Sequence, residues 1–197
     1  AWPWKGVDVI AATAQVVQTI NTLTARTVDP TTTPTVFTIA TLDAGVRYNI
    51  IPDRAVMSGT LRTFDVAQRD ALVARARAAV DHVAATYGAT AEFGVRQNAA
   101  LVFNDPELSG WLAPVLREAA GVDNVDPATP PTTVAEDFSF YQHRIPGVFF
   151  HLGASADGVD PAASPPNHSP TFDVNEKVLP VGVRAHVLTA LRFLERP

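Results

Sequence analysis

Apolar positions recur along this chain with two periods, and the change from one to the other marks out its elements. Val9, Val16, Ile20 and Leu23 share one helical face and Asp8 can cap the first turn, so a helix is predicted over about 8–26. Residues 27–34, rich in Thr, Pro and Asp, read as a linker. Residues 35–42 are dense in β-branched side chains and read as a strand, broken at Asp43-Ala44-Gly45. Asn49-Ile50-Ile51-Pro52-Asp53 is a turn into a second strand at about 55–64. Leu72, Ala76, Val80, Val83 and Tyr87 stripe a long helix over about 66–87, with Gly88 as its C′ residue. Ala91, Phe93 and Val95 alternate with Glu92, Gly94 and Arg96, which predicts a third strand at 89–97.

After Asn104-Asp105-Pro106 the texture changes. A helix is predicted over 107–120, an irregular Pro/Thr segment to 133 and a short helix at 136–143. The apolar run 147–153 (Val148, Phe149, Phe150, Leu152) has the pattern of a strand buried on both faces, which would make His151 a core residue. A final helix over 175–194 is expected to pack through Leu179, Val183, Val187, Leu191 and Leu194. A domain boundary is placed near 104, giving domains 1–104 and 105–197. The first domain reads helix–strand–strand–helix–strand; one more strand before the first helix would complete a ferredoxin-like split βαβ unit, so the fold class is α/β (α+β).

The composition, 47% hydrophobic and 18% charged, leaves ample material for a core. The net charge of −5 comes without charge runs, which argues against nucleic acid or an anionic membrane surface as partner. No apolar run approaches the ~18 residues of a membrane span. There is no cysteine, so neither a disulfide nor a thiolate metal site can come from this chain. The chain opens Ala1-Trp2-Pro3-Trp4, without an initiator Met or leader, and is expected to be a piece of a longer protein; localisation cannot be read from it.

The candidate chemistry lies in three places. Pro165-Pro166-Asn167-His168-Ser169-Pro170 holds one histidine between prolines, which limit how far the imidazole can wander, as a metal ligand requires; the competing reading is a rigid loop with an incidental histidine. Of the other histidines, His82 is expected solvated, His143 at a helix C-terminus, and His186 semi-buried and structural. Glu136 and Asp137 open the short helix, either as dipole-favoured acids or with Glu136 facing a cleft shared with His168. Asn49 in its turn and Arg62 on the following strand are ordinarily turn chemistry and a solvated face, yet an amide and a guanidinium together can clamp a substrate carboxylate.

Together these segments resemble the aminoacylase/carboxypeptidase group of dinuclear metallohydrolases (peptidase family M-twenty), especially its amidohydrolase branch with hippurate hydrolase and the auxin-conjugate hydrolases. The matching pieces run in the family's order: the opening residues 1–8, Asn49-Ile50-Ile51-Pro52-Asp53, Gly59-Thr60-Leu61-Arg62-Thr63-Phe64, Ala135-Glu136-Asp137-Phe138-Ser139, residues 146–153, and Asn167-His168-Ser169-Pro170-Thr171-Phe172. The resemblance implies a ferredoxin-like lid and dimerisation domain, hence a homodimer, followed by the C-terminal part of a metal-binding catalytic domain. It implies hydrolysis of N-acyl amino acids or similar small amides with two divalent metal ions, zinc first, with manganese, cobalt or nickel as alternatives. His168 would ligate one metal, Asn49 and Arg62 would contact substrate, and Glu136 would line the site without an assigned role. The remaining ligands, the glutamate general base and a lid histidine belong to the family's N-terminal half. One imidazole and one carboxylate cannot hold two metals, so the isolated chain is expected to be inactive. The alternatives are a non-catalytic dimerisation or small-molecule-binding module that kept the fold, and an unrelated ferredoxin-like regulatory domain, which leaves the His168 loop unexplained.

Overall fold

The computed structural model describes residues 2–196; Ala1, the first residue of the opening motif, and Pro197 lie outside the described residues. The chain divides into two compact units, Ala1–Leu101 with Thr133–Ala135, and Val102–Thr132 with Glu136–Pro197.

In the first unit, helix α1 (Val9–Thr27) is capped by Asp8, whose carboxylate accepts from the Ala11 N–H at 3.0 Å. Strands β1 (Thr35–Ala44) and β2 (Ala55–Thr63) pair antiparallel, Thr35 opposite Thr63 and Ala44 opposite Ala55. Helix α2 (Val66–Thr86) starts on Asp65, which accepts from Gln68 N–H. Alternation sends Phe37, Ile39 and Met57 to one face of the hairpin, where they meet Val16 and Ile20 of α1 and Ala76, Val80 and Val83 of α2. Val36, Val56 and Arg62 take the other, exposed face. Between Ile39 and Thr41 the register slips by one residue, and Gly59 lies against this bulge. A Cβ there would stand 2.0 Å from Thr38 O, so only glycine fits.

The third strand predicted at 89–97 is not formed. Among the described residues the sheet has two strands, and 89–97 carries no strand pairing. Its apolar pattern is still used: Phe93 packs on the α1/α2 core, its carbonyl accepts from Arg77 Nη1 at 2.7 Å, and the Arg77 guanidinium lies over its ring. The alternation therefore reported one half-buried side chain, Phe93, and not a ladder.

In the second unit, α3 (Pro106–Ala120) is capped by Asp105 and packs on α5 (Leu179–Leu194). Trp111 meets Phe193 edge-on at 5.8 Å, and Arg192 pairs with Glu118 and Glu195. The short helix expected at 136–143 is reduced to α4 (Ser139–Gln142), whose Ser139 is fully buried. The final helix begins later than expected, after a 3-10 turn at Glu176–Val178. Its predicted packing stripe points outward: Leu179, Val183, Val187, Leu191 and Leu194 are 51–82% exposed, and Ala185 is the helix's one buried residue. Periodicity identifies an apolar face but not whether anything covers it.

The run 147–153 is likewise not a strand. Residues 147–150 are half-buried, while His151, Leu152 and Gly153 are exposed. His151, expected in the core, stands at the surface with its ring edge-on to Phe149 at 5.2 Å, and His186, expected semi-buried, is exposed against Phe150 at 5.6 Å. A doubly buried strand needs neighbours on both edges; here Gly147 O accepts from Asp105 N–H and Gln142 Nε2, and both backbone groups of Phe149 bond the Asn104 side chain.

Candidate functional site

Asn49 and Arg62 both belong to the first unit. The hairpin loop that carries Asn49 is exposed except at half-buried Pro52, and Asn49 lines an open hollow of about 740 Å³ with Asp8, Ile10, Tyr48, Ile51 and Pro52. The wall of this hollow mixes polar and apolar groups in nearly equal measure, and it opens widely to solvent. Arg62 lies outward on β2 because Leu61 and Thr63 point inward, and its Nη1 donates to Thr133 O at 2.5 Å, holding the returning stretch Thr133–Ala135 on the unit. A guanidinium has further N–H donors beyond the one used there.

Glu136 and His168 belong to the second unit. Glu136 is half-buried; its Oε1 accepts from Phe138 N–H at 3.1 Å, and its carbonyl accepts from Ser139 Oγ at 2.6 Å. It therefore fixes the turn into α4. His168 is exposed, and its backbone has φ = 69°, the one positive φ outside glycine among the described residues. Ser169 N–H donates to Pro166 O at 3.1 Å, so Pro166-Asn167-His168-Ser169 forms a turn with His168 at its third position. Such a turn favours glycine there, because a left-handed residue with a side chain is strained. The proline pattern foretold a rigid loop, but nothing local foretold this hand.

No hydrogen bond or ion pair joins Glu136 to His168 among the described residues, and no group of three or more His, Asp or Glu side chains is gathered there. The residues present do not by themselves fit a divalent metal centre, for which a catalytic zinc takes three protein ligands. A second hollow, about 270 Å³ between Phe103, Asp105, Gln142 and Arg144, contains none of the candidate residues.

Two asparagines escaped the sequence reading. Asn104, taken only as part of a boundary, bonds both backbone groups of Phe149. Asn175, taken only as a helix start, bonds the opposite stem of the His168 loop. No helix among the described residues is long and apolar enough to cross a membrane.

Comparison with known proteins gives these positions a frame. The model of peptidase family M20/M25/M40 matches residues 6–192. Thermostable carboxypeptidase 2 of Saccharolobus solfataricus is 34% identical over 192 residues, covering 97% of this chain and 47% of that protein. IAA-amino acid hydrolase ILR1-like 4 of Arabidopsis thaliana is 33% identical, over 98% of this chain and 44% of its own length. The crystal structure of the Bacillus subtilis YXEP protein, described as a dinuclear metal binding peptidase from the M20 family, superposes with a TM-score of 0.70 at 31% identity, covering 97% of this chain and 47% of that one. The chain thus spans about half the length of the relatives it matches. On the match over residues 6–192, the chain belongs to peptidase family M20/M25/M40.

Proposed function

We propose that this chain is part of a metal-dependent amidohydrolase that cleaves the amide bond of N-acyl amino acids or similar small amides. The observation that carries the reading is the family match across residues 6–192, with relatives named as a carboxypeptidase and an amino acid conjugate hydrolase. In this reading residues 1–104 are a ferredoxin-like lid through which a homodimer forms, and 105–197 are the C-terminal part of the catalytic domain. Asn49 and Arg62 are the substrate contacts. The guanidinium's spare donors suit a carboxylate, which a planar fork grips in a bidentate way, and Asn49's amide can donate to and accept from a substrate amide. His168 is the side chain assigned to one of two divalent ions, zinc first, with manganese, cobalt or nickel as alternatives. Strain retained on an exposed residue is typical of a position held for function. Glu136 lines the site with the carboxylate oxygen that Phe138 leaves unused. In this reading the other ligands and the general base lie outside this chain.

The test is an amidase assay on N-acetyl and N-benzoyl amino acids, with zinc, manganese, cobalt or nickel. The protein assayed is the polypeptide that joins this chain to the remainder of the family domain, with the 197-residue chain alone in parallel. Chelator-sensitive turnover by the longer protein and none by the chain alone is the expected result. Turnover by the chain alone overturns the claim that it is incomplete, and no turnover by either favours a binding module.

A further inference from the structure

The loop that presents His168 is closed at its base by Asn175 and Lys177. Asn175 N–H donates to Ala154 O at 2.9 Å, and its Nδ2 donates to Ser155 O at 3.3 Å and to Asp157 Oδ1 at 2.9 Å. Lys177, two residues on, reaches Asp157 Oδ2 at 2.5 Å. The two side chains therefore bond partners 18 and 20 positions away, and between these stems lie the 3-10 turn Pro161–Ala163 and the turn holding His168. A strained φ persists only where its surroundings over-determine it. Within the turn the restraints are short-range, such as Ser169 Oγ with Thr171 Oγ1 at 3.0 Å, and none of them fixes the loop's ends.

We propose that Asn175 is a positioning residue for His168. Its amide donors lock the two stems together, and this closure sustains the left-handed backbone that aims the imidazole. The functional weight of this rests on the reading of His168 given above; the geometric claim does not. The plainer role for Asn175 is the N-cap of the 3-10 turn Glu176–Val178, since its Oδ1 accepts from Lys177 N–H at 3.2 Å. The two roles use opposite ends of one amide, so they can be separated. Aspartate caps as well as asparagine but cannot donate, and at position 175 it would face Asp157 with like charge.

The measurement is NMR of the 197-residue chain: the intraresidue H(N)–Hα NOE of His168, which is strong when φ is near +60°, and amide exchange across 158–172. Asn175→Ala and Asn175→Asp should both weaken that NOE and speed exchange by roughly ten- to a hundred-fold, the effect of losing one or two hydrogen bonds, with α3 amides unchanged. The swap Asp157→Asn with Asn175→Asp restores a donor–acceptor pair in the reverse sense and should recover both signals in part. If Asn175→Asp behaves as the wild type, the residue is only a cap and the proposal fails. It also fails if Asn175→Ala loosens the stems while the His168 NOE stays strong. Should Asn175→Ala not fold, Asp157→Ala, which removes one of the two Nδ2 acceptors together with the Lys177 pair, must weaken the His168 NOE while Lys177→Ala, which breaks only that pair, leaves it strong. None of these readouts depends on metal or turnover, so loss of the His168 assignment, tested by His168→Gln in the complete hydrolase, would leave the result standing.

Discussion

The side-chain amide of Asn104 binds the backbone of Phe149 as a neighbouring strand would: Nδ2 donates to Phe149 O and Oδ1 accepts from Phe149 N–H, each at 2.8 Å. Gln142 sets the amide's orientation, donating to Asn104 Oδ1 at 3.2 Å and to Gly147 O at 3.1 Å. An unpaired extended segment is thus satisfied on one edge by side chains. Asn104→Ala should destabilise the second unit by about 1–2 kcal/mol, two modest hydrogen bonds in a partly wet setting. Asn104→Asp, which keeps the acceptor, should fall between. Urea denaturation followed at Trp111 checks both.

Gly59 makes a sharper case in the first unit. Its missing Cβ leaves room for Thr38 O, a backbone atom that cannot rotate away. Gly59→Ala should cost about 2–4 kcal/mol, in the range of severe steric substitutions, and should disturb β1 on either side of the bulge. An unchanged denaturation midpoint would mean that the hairpin shifts register at no cost.

At His168 the backbone hand predicts an inversion of the usual order. Glycine ordinarily stabilises less than alanine, yet here His168→Gly should be more stable than His168→Ala by about 1 kcal/mol, because only alanine retains the left-handed strain. Thermal melts of the two variants decide it.

Arg62→Ala in the complete hydrolase should mainly raise KM for substrates with a free carboxylate, lowering kcat/KM roughly ten- to a hundred-fold for a lost charge-assisted bond of about 1.5–3 kcal/mol. Carboxylate-free amides should change little. An equal loss for both would assign Arg62 to its bond with Thr133 alone.

Asp157 carries a pH signature. The Lys177 ammonium, and after it the Asn175 amide, hold its carboxyl below the ordinary range. A carboxyl whose folded pKa is lowered contributes stability that is complete above its unfolded value and is lost as pH falls through the folded one. Protection of amides in 158–172 should therefore fade below about pH 4. Asp157→Asn should flatten that dependence; an unaltered profile would place the acid-sensitive group elsewhere.

What the sequence determined alone is local. The apolar stripes of α1, α2 and α3 and the aspartates at their starts act within one or two turns, and the alternation around Arg62 needs only the pleat of its own strand. The family, too, is legible in short motifs spread along the chain. Whether 89–97 and 147–153 become strands is decided by what lies beside them: Phe93 found a core and Arg77, and Phe149 found Asn104, without a ladder in either case. The same holds for α5, whose stripe is apolar by sequence and bare by packing, and for His168, whose left-handed φ sits in a loop closed from Asn175. Periodicity encodes a residue's own face and conformation; pairing, coverage and strain depend on partners distant in sequence, and only the tertiary structure supplies them.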